Sequence, residues 1–357
     1  MKIDVFAHIT TPEFIDALNK KGINWEKMVG TAIPTGGPAL WDLKTRLDVM
    51  SRHEDYVQVL VPSGEVIEMW MGTKDTPALV KIFNDELAEL KNKYPYKFVG
   101  AVATIPMNNI DAALNEIDRA INELGFLGIL MHTPLFINEE GRALEQGPNY
   151  QTMKAIDIPE FMPIYEKMAK LNRPIWIHPV GYGALPVYAG EKRGRYQIAH
   201  MIGWPIESAM AMIRLVCSGI LMKYPNLKFI THHCGSGIIP MMEGRLDYDY
   251  DKYRQSGTLK WDKPGEEDPF KYRRAIDYFR SFYADTALYG GVGALECGHK
   301  FFGAEHIVFG TDYPYDSAQG DVFIRKTVDA IQRMNISDGH RELIFEGNAK
   351  RILNLDI

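Results

Sequence analysis

The stretch Lys2-Ile-Asp-Val-Phe-Ala-His8 decides how the rest of the chain is read. Ile3 and Val5 are apolar, the run is short, and the sequence turns irregular after His8, which predicts a buried strand ending on a histidine. Imidazole nitrogen suits zinc and similar ions, so a histidine at the C-terminal lip of a first strand is well placed to bind a metal. Phe6, two residues earlier, points to the same face as His8. If a metal lies there, Phe6 stands where a further ligand would be expected.

Outward from this strand the chain keeps one rhythm. Strands are predicted at 56–63, 97–106, 126–133, 174–180, 227–235, 282–288 and 307–314, each apolar and rich in β-branched or aromatic residues. Helices are predicted over 41–51, 75–94, from Asn108 to a stop at Gly125, over 158–172 and over 205–219. Eight buried strands, most followed by a helix, predict an α/β fold, a single TIM-type (β/α)8 barrel formed by residues 1–357 as one domain. The long connections, 9–40, 134–157, 181–204 and 248–280, all follow the carboxyl end of a strand, where barrel enzymes build their sites. No G-x-G-x-x-G follows an early strand and no G-K-[ST] occurs, which disfavours nucleotide-binding folds.

Composition narrows the partners. With 46% hydrophobic and 24% charged residues, the chain has the profile of a globular protein with a large core. A net charge of −6 without a basic stripe disfavours nucleic acid. Three distant cysteines, Cys217, Cys234 and Cys297, argue against a disulfide framework and for a reducing, cytoplasmic setting. Neither a secretory leader nor an apolar run of membrane-spanning length is expected.

Four of the predicted strands end in a polar residue: His8, His178, His233 and Asp312. Such groups at the end of an apolar strand incur a desolvation cost unless bonded or metallated. His8, His178 and Asp312 make two nitrogens and a carboxylate, a metal-ligand set that leaves positions open for water and substrate, with His233 as general acid or base beside it. The remaining histidines have plainer readings. His53, His299, His306 and His340 are expected to be structural, and His200 to line the pocket or cap a helix. His132 is expected behind the site, Asp285 to bond a nearby backbone, and His232, alternating with His233, to face the helices.

In these motifs the chain resembles the amidohydrolase-related enzymes of the 2-amino-3-carboxymuconate-6-semialdehyde decarboxylase type, which include the γ-resorcylate decarboxylases. I-D-V-F-A-H looks like that family's I-D-x-H-x-H, I-W-I-H-P matches its strand-five metal histidine at His178, and T-H-H-C-G places His233 as its catalytic histidine. F-G-T-D-Y-P matches its metal aspartate at Asp312, and E-G-N-A-K-R-I-L resembles its C-terminal helix. The resemblance implies non-oxidative decarboxylation of a small, aromatic or muconate-like carboxylic acid. It also implies one divalent metal ion, zinc or manganese, and Asp312 with His233 as the proton-handling pair. Substrate contacts are implied from Arg245, offered by a neighbouring subunit of a homodimer or higher oligomer, and from Tyr196, a stacking aromatic. Three departures stand out: Phe6 replaces the first ligand, residues 9–40 hold no arginine, and strand four ends in Met131-His132 without a lysine to bridge two metals. The same constellation could activate water, so a metal-dependent hydrolase or hydratase is the alternative. A binding barrel that lost catalysis at Phe6 is the third.

Overall fold

The computed structural model describes residues 1–25, 37–63, 67–136, 153–180, 196–235, 237–258 and 268–357. Seven parallel strands form one sheet: β1 (Lys2–Ile9), β2 (Tyr56–Pro62), β3 (Phe98–Ala103), β4 (Gly128–Thr133), β5 (Ile175–Pro179), β6 (Phe229–Thr231) and β7 (Tyr283–Ala284). They neighbour one another in that order, so every step is a same-direction crossover, and the helices between them supply the return paths. Residues 307–313 then touch both edges: Ile307 bridges Ala284 of β7, and Tyr313 bridges Ala7 of β1. The sheet is curled, and this segment lies between its last and first strands.

The eighth predicted strand is present as that pair of bridges rather than a ladder, and β6 and β7 are shorter than 227–235 and 282–288. The main-chain donors at this end are taken by side chains instead. Thr286 Oγ1 accepts from Gly310 N at 3.0 Å, Asp4 from Thr311 N at 3.1 Å, and Thr311 Oγ1 from Tyr313 N at 3.2 Å. Helices also occupy three of the predicted long connections, with the turn Ala199–Gly203 inside 181–204. Pro12–Lys20 lies within 9–40, with Pro12 preset for its first turn, and Glu243–Gln255 and Ala275–Phe279 lie in and around 248–280. Elsewhere the expected elements are found, including Thr76–Lys93, Ile110–Asp118 with its continuation to a left-handed Gly125 (φ +65°), Met162–Leu171 and Trp204–Cys217. Among the described residues no helix is long and apolar enough to cross a membrane.

The first strand is not regular, and its irregularity builds the site. Strict alternation from Ile3 and Val5 would carry Ala7 inward and turn His8 toward the helices. Instead the register against β2 shifts between Asp4 and Ala7. Ile3, Val5 and Phe6 all join one buried cluster with Val59, Val61, Trp176 and Val308, while Ala7 packs with the larger core. The extra residue of this bulge resets the parity, so Phe6 and His8 both face the interior.

Buried polar groups hold the bulge. The Asp4 carboxylate accepts from Phe6 N at 3.0 Å, Tyr56 Oη at 2.5 Å and Thr311 Oγ1 at 2.5 Å, tying β1, β2 and residues 307–313 together. Behind it, the fully buried Arg46 donates to Gln58 Oε1 at 2.8 Å and to the carbonyls of His8 (2.7 Å) and Ala7 (3.3 Å). Its guanidinium lies 4.6 Å from the centre of the Tyr313 ring. Arg46 therefore satisfies main-chain acceptors that a bulged strand end leaves open. Trp176 of β5 fills the interior below the site and donates its indole N–H to Val5 O at 2.9 Å.

Candidate metal and active site

His8, His178, His232, His233 and Asp312 meet at the carboxyl ends of the strands, all buried. His8, next to last in β1, donates its Nδ1–H to Pro62 O at 3.1 Å; His178 lies in β5 and donates its Nδ1–H to Pro179 O at 2.6 Å. Those two bonds fix the tautomer and leave each Nε2 with a free lone pair. Both Nε2 atoms are buried and lack a hydrogen-bond partner, and His8 Nε2 lies 3.5 Å from Asp312 Oδ1. An unpaired buried acceptor is costly, and two of them, one lying 3.5 Å from a carboxylate oxygen, match the donor chemistry of a divalent ion. A histidine held through Nδ1 so that Nε2 is presented is also the arrangement that orients metal ligands.

The electrostatics agree. Burial drives the pKa of His8 down to about 3 and that of His178 well below the usual imidazole range, so both are neutral near pH 7 and ready to ligate. His132, at the end of the neighbouring β4, is also held neutral by burial, with a pKa of about 4, and its ring centre lies 5.9 Å from that of His178.

His232 behaves oppositely. Its Nδ1–H donates to Asp285 and its Nε2–H to Asp312 Oδ1 at 3.1 Å, so both ring nitrogens are donors. Burial opposes the charge, but the two carboxylates outweigh it and push the pKa up to about 9. The complementary effect falls on Asp312: burial would raise its carboxyl, yet the His232 hydrogen bond and charge hold it well below the usual carboxylate range. His232 and Asp312 are thus a buried imidazolium–carboxylate pair, anchored from behind by Asp285.

The family comparison fits this geometry. The family model described as amidohydrolase matches residues 3–355. The chain belongs to the amidohydrolase family. Within it, the chain is 28% identical to a γ-resorcylate decarboxylase of Rhizobium sp. over 317 residues, covering 87% of each protein. It is 26% identical to a 2-amino-3-carboxymuconate-6-semialdehyde decarboxylase of Dictyostelium discoideum over 319 residues, covering 88% of this chain and 77% of that protein. Among solved structures, a 2,6-dihydroxybenzoate decarboxylase in complex with 2,6-dihydroxybenzoate superposes with a TM-score of 0.75 at 25% identity, over 100% of this chain and 99% of its own.

Against this amidohydrolase frame, the sequence-predicted residues fall in two groups. His8, His178, His233 and Asp312 lie at one end of the sheet. The described residues close enough to hold an ion together, however, are His8, His178 and His232, and His232, His233 and Asp312. His232 is thus shared by both groups, and the expected trio of His8, His178 and Asp312 is not one of them. Arg245 and Tyr196 lie apart from the cluster within this single chain. The Arg245 side chain is 73% exposed on helix Glu243–Gln255 with its guanidinium 3.4 Å from Asp249, and Tyr196 is 84% exposed. The side chain of His200 lies outside the described residues.

Two expectations are corrected. His232 does not face the helices: its ring stacks on Phe6 with centroids 4.0 Å apart and lies 4.0 Å from the ring of His233. The reason is local. His233 (φ +62°) and Cys234 (φ +54°) take left-handed backbone, so alternation ends at residue 232 and both rings turn inward. Asp285 is more than a backbone partner. One of its oxygens accepts from Cys234 N at 2.8 Å and Ala287 N at 3.2 Å, holding that left-handed turn, while the other receives the His232 proton. The doublet H-H was the available signal in the sequence.

Backbone strain gathers here as well. Asp312 (φ +66°) and Tyr289 (φ +52°) join His233 and Cys234 in the left-handed region, which costs a non-glycine residue about 1–2 kcal/mol. Phe6 meanwhile presents an apolar wall, its ring centre 6.0 Å from that of His8 and 6.5 Å from that of His178. Trp204 closes another side, 5.5 Å from His178 and 6.0 Å from His233.

Proposed function

We propose that this chain, as a single TIM-type (β/α)8 domain of residues 1–357 with long connections at the carboxyl ends of its strands, is a metal-dependent, non-oxidative decarboxylase. Its substrate is a small aromatic or muconate-like carboxylic acid, in keeping with the names of its relatives. The observation that carries the reading is the pair of buried, unpartnered Nε2 atoms of His8 and His178, with Asp312 Oδ1 3.5 Å from that of His8. These three residues would hold one divalent ion, zinc or manganese. When bound, the ion supplies Lewis-acid polarisation of the substrate's oxygen atoms.

The protein's own groups do the rest. The C–C bond to the carboxylate breaks, carbon dioxide leaves, and the electron pair stays on the substrate carbon. That carbon then needs a proton. His232, protonated between Asp285 and Asp312, holds one at Nε2, and His233, held by its Nδ1–H bond to Ala287 O at 3.1 Å, lies against it. Asp312 with these two histidines forms the proton-handling group, which extends the expected pair by His232. The Phe6 and Trp204 faces give a flat, apolar enclosure suited to an aromatic ring.

Arg245 is assigned to substrate binding across a homodimer or higher homo-oligomer, and Tyr196 to stacking on the substrate. The exposure of Arg245 supports this, as do the outward-facing Met201, Ile202, Met210 and Met241. Cys217, Cys234 and Cys297 form no disulfide, which supports a cytoplasmic location.

The test is metal analysis of the purified protein, followed by carbon dioxide release from a panel of hydroxybenzoates with and without added zinc or manganese. Metal-stimulated release is expected. A protein that takes up no divalent ion and releases none overturns the proposal, and a metal-dependent product that keeps all its carbons assigns the site to the hydrolase or hydratase reading.

Phe6→His tests the apolar wall. The new imidazole would enter a site whose nearest unpartnered nitrogens are those of His8 and His178, and divalent-ion affinity is expected to rise by about tenfold. Competition with a chromophoric chelator measures this, and unchanged or weaker affinity would show that position 6 does not face the ion.

A further inference from the structure

Asp312 presents its two oxygens to different partners. Oδ1 faces His232 Nε2 at 3.1 Å and the otherwise unpartnered His8 Nε2 at 3.5 Å. Oδ2 accepts the hydroxyl of Tyr289 at 2.8 Å. Tyr289 follows β7 and matches no motif in the sequence. Its ring is partly open to solvent (38% of the residue is exposed), while its hydroxyl reaches inward to a fully buried carboxylate.

The surroundings fix that reach. The Tyr289 ring stacks on Phe323 with centroids 4.3 Å apart and planes at 20°. Phe323 sits in the first turn of helix Asp321–Arg333, where Asp316 accepts from its N–H at 2.6 Å. Asp316 also accepts from Ala318 N at 2.6 Å, so the segment following Asp312 folds into a platform for the ring that returns to Asp312. Gly290 (φ +93°) keeps the chain close to this helix; a Cβ there would lie 3.2 Å from Lys326 Cβ. Tyr289 is held left-handed (φ +52°), a conformation a tyrosine rarely adopts unless its surroundings impose it.

The geometry points to Tyr289 as a positioning residue that occupies Oδ2 of Asp312, so that the carboxylate offers a single oxygen to the metal and to His232. This rests on the metal reading given above and goes beyond it by naming the residue that sets how Asp312 coordinates. With the hydroxyl in place, Oδ1 is the oxygen Asp312 would have left to offer an ion. Without it, Oδ2 is released, and the carboxylate can turn toward two-oxygen coordination or away from His232.

Tyr289→Phe is the direct test, because it keeps the ring on Phe323 and removes one oxygen atom. The full-length protein and the variant are titrated with Co(II), reading the visible ligand-field spectrum and the affinity by chelator competition, with thermal melting as the check on folding. The expected result is a shifted cobalt spectrum and a Co(II) affinity weakened by about tenfold, within the range typical for partners of metal ligands, at an unchanged melting temperature. Phe323→Leu, which loosens the platform but keeps the hydroxyl, is expected to move both readouts in the same direction and less far. A Tyr289→Phe protein with the wild-type spectrum and affinity overturns the inference while leaving the metal reading intact. A wild-type protein that takes up no Co(II) overturns both.

Discussion

Asp312→Asn is expected to abolish turnover, by about 10⁴-fold, at the upper end of what one positioned proton-transfer group contributes. The substitution removes a charge and almost no volume. The introduced asparagine can still accept from His232 Nε2 through its carbonyl oxygen, and the Tyr289 hydroxyl can rotate to accept from the new amide. The His232 imidazolium also keeps Asp285 as a counter-charge, so no uncompensated charge is left buried. The fold should therefore persist, with a melting temperature within a few degrees of wild type. What disappears is the anionic oxygen beside the unpartnered Nε2 atom of His8, together with the group that accepts and returns a proton. Metal content after dialysis should drop along with the rate. Retention of activity within about fivefold would place the proton-handling and ligating roles elsewhere, since so small a loss is far below the contribution expected of either role.

How much of this site was legible in the sequence depends on how far each residue's direction follows from local pattern. The strand rhythm was readable because parallel buried strands announce themselves as short apolar runs. His178 and Asp312 were readable because each closes such a run. His8 was readable only in part: its inward direction depends on the bulge between Asp4 and Ala7, which requires Asp4 to accept from Phe6 N and from Thr311, more than 300 residues away. His232 was misread for the mirror-image reason. Alternation is a rule for extended backbone, and it fails where His233 and Cys234 turn left-handed. That turn is held by Asp285, which no pattern near residue 232 announces. Tyr289 was invisible, because its role arises from a stack on Phe323 and a bond to Asp312, both remote in sequence. The parts that escaped are those set by long-range hydrogen bonds at the strand ends, where ladder pairing gives way to side-chain partners.

Asp285→Asn separates the charge of His232 from its position. In the present structure Asp285 accepts the Nδ1 proton and Asp312 the Nε2 proton, so the ring carries both. An asparagine can keep accepting from Cys234 N, as Asp285 Oδ1 now does at 2.8 Å, and so preserve the left-handed turn. Its amide would then donate to Nδ1, leaving a neutral imidazole that still donates Nε2–H to Asp312. The ring stays where it is, stacked on Phe6, but loses its second proton. Turnover should drop by about 10³-fold, within the range for a mispoised acid–base group. The pH dependence gives a second readout with a fixed sign. In the metal-free protein the pKa of His232 is raised from 6.5 to about 9, so the folded state binds a proton the unfolded chain has already released. That contribution is complete below the unfolded pKa and is lost as pH rises through about 9. The melting temperature of metal-free wild type should therefore decline between neutral pH and about 9. In Asp285→Asn this decline should flatten, because the principal charge sustaining the imidazolium is gone. A variant that keeps both the wild-type rate and the wild-type slope would show that the proton on His232 is not held by Asp285. A flattened slope with an unchanged rate would show that the proton returned to carbon does not come from His232.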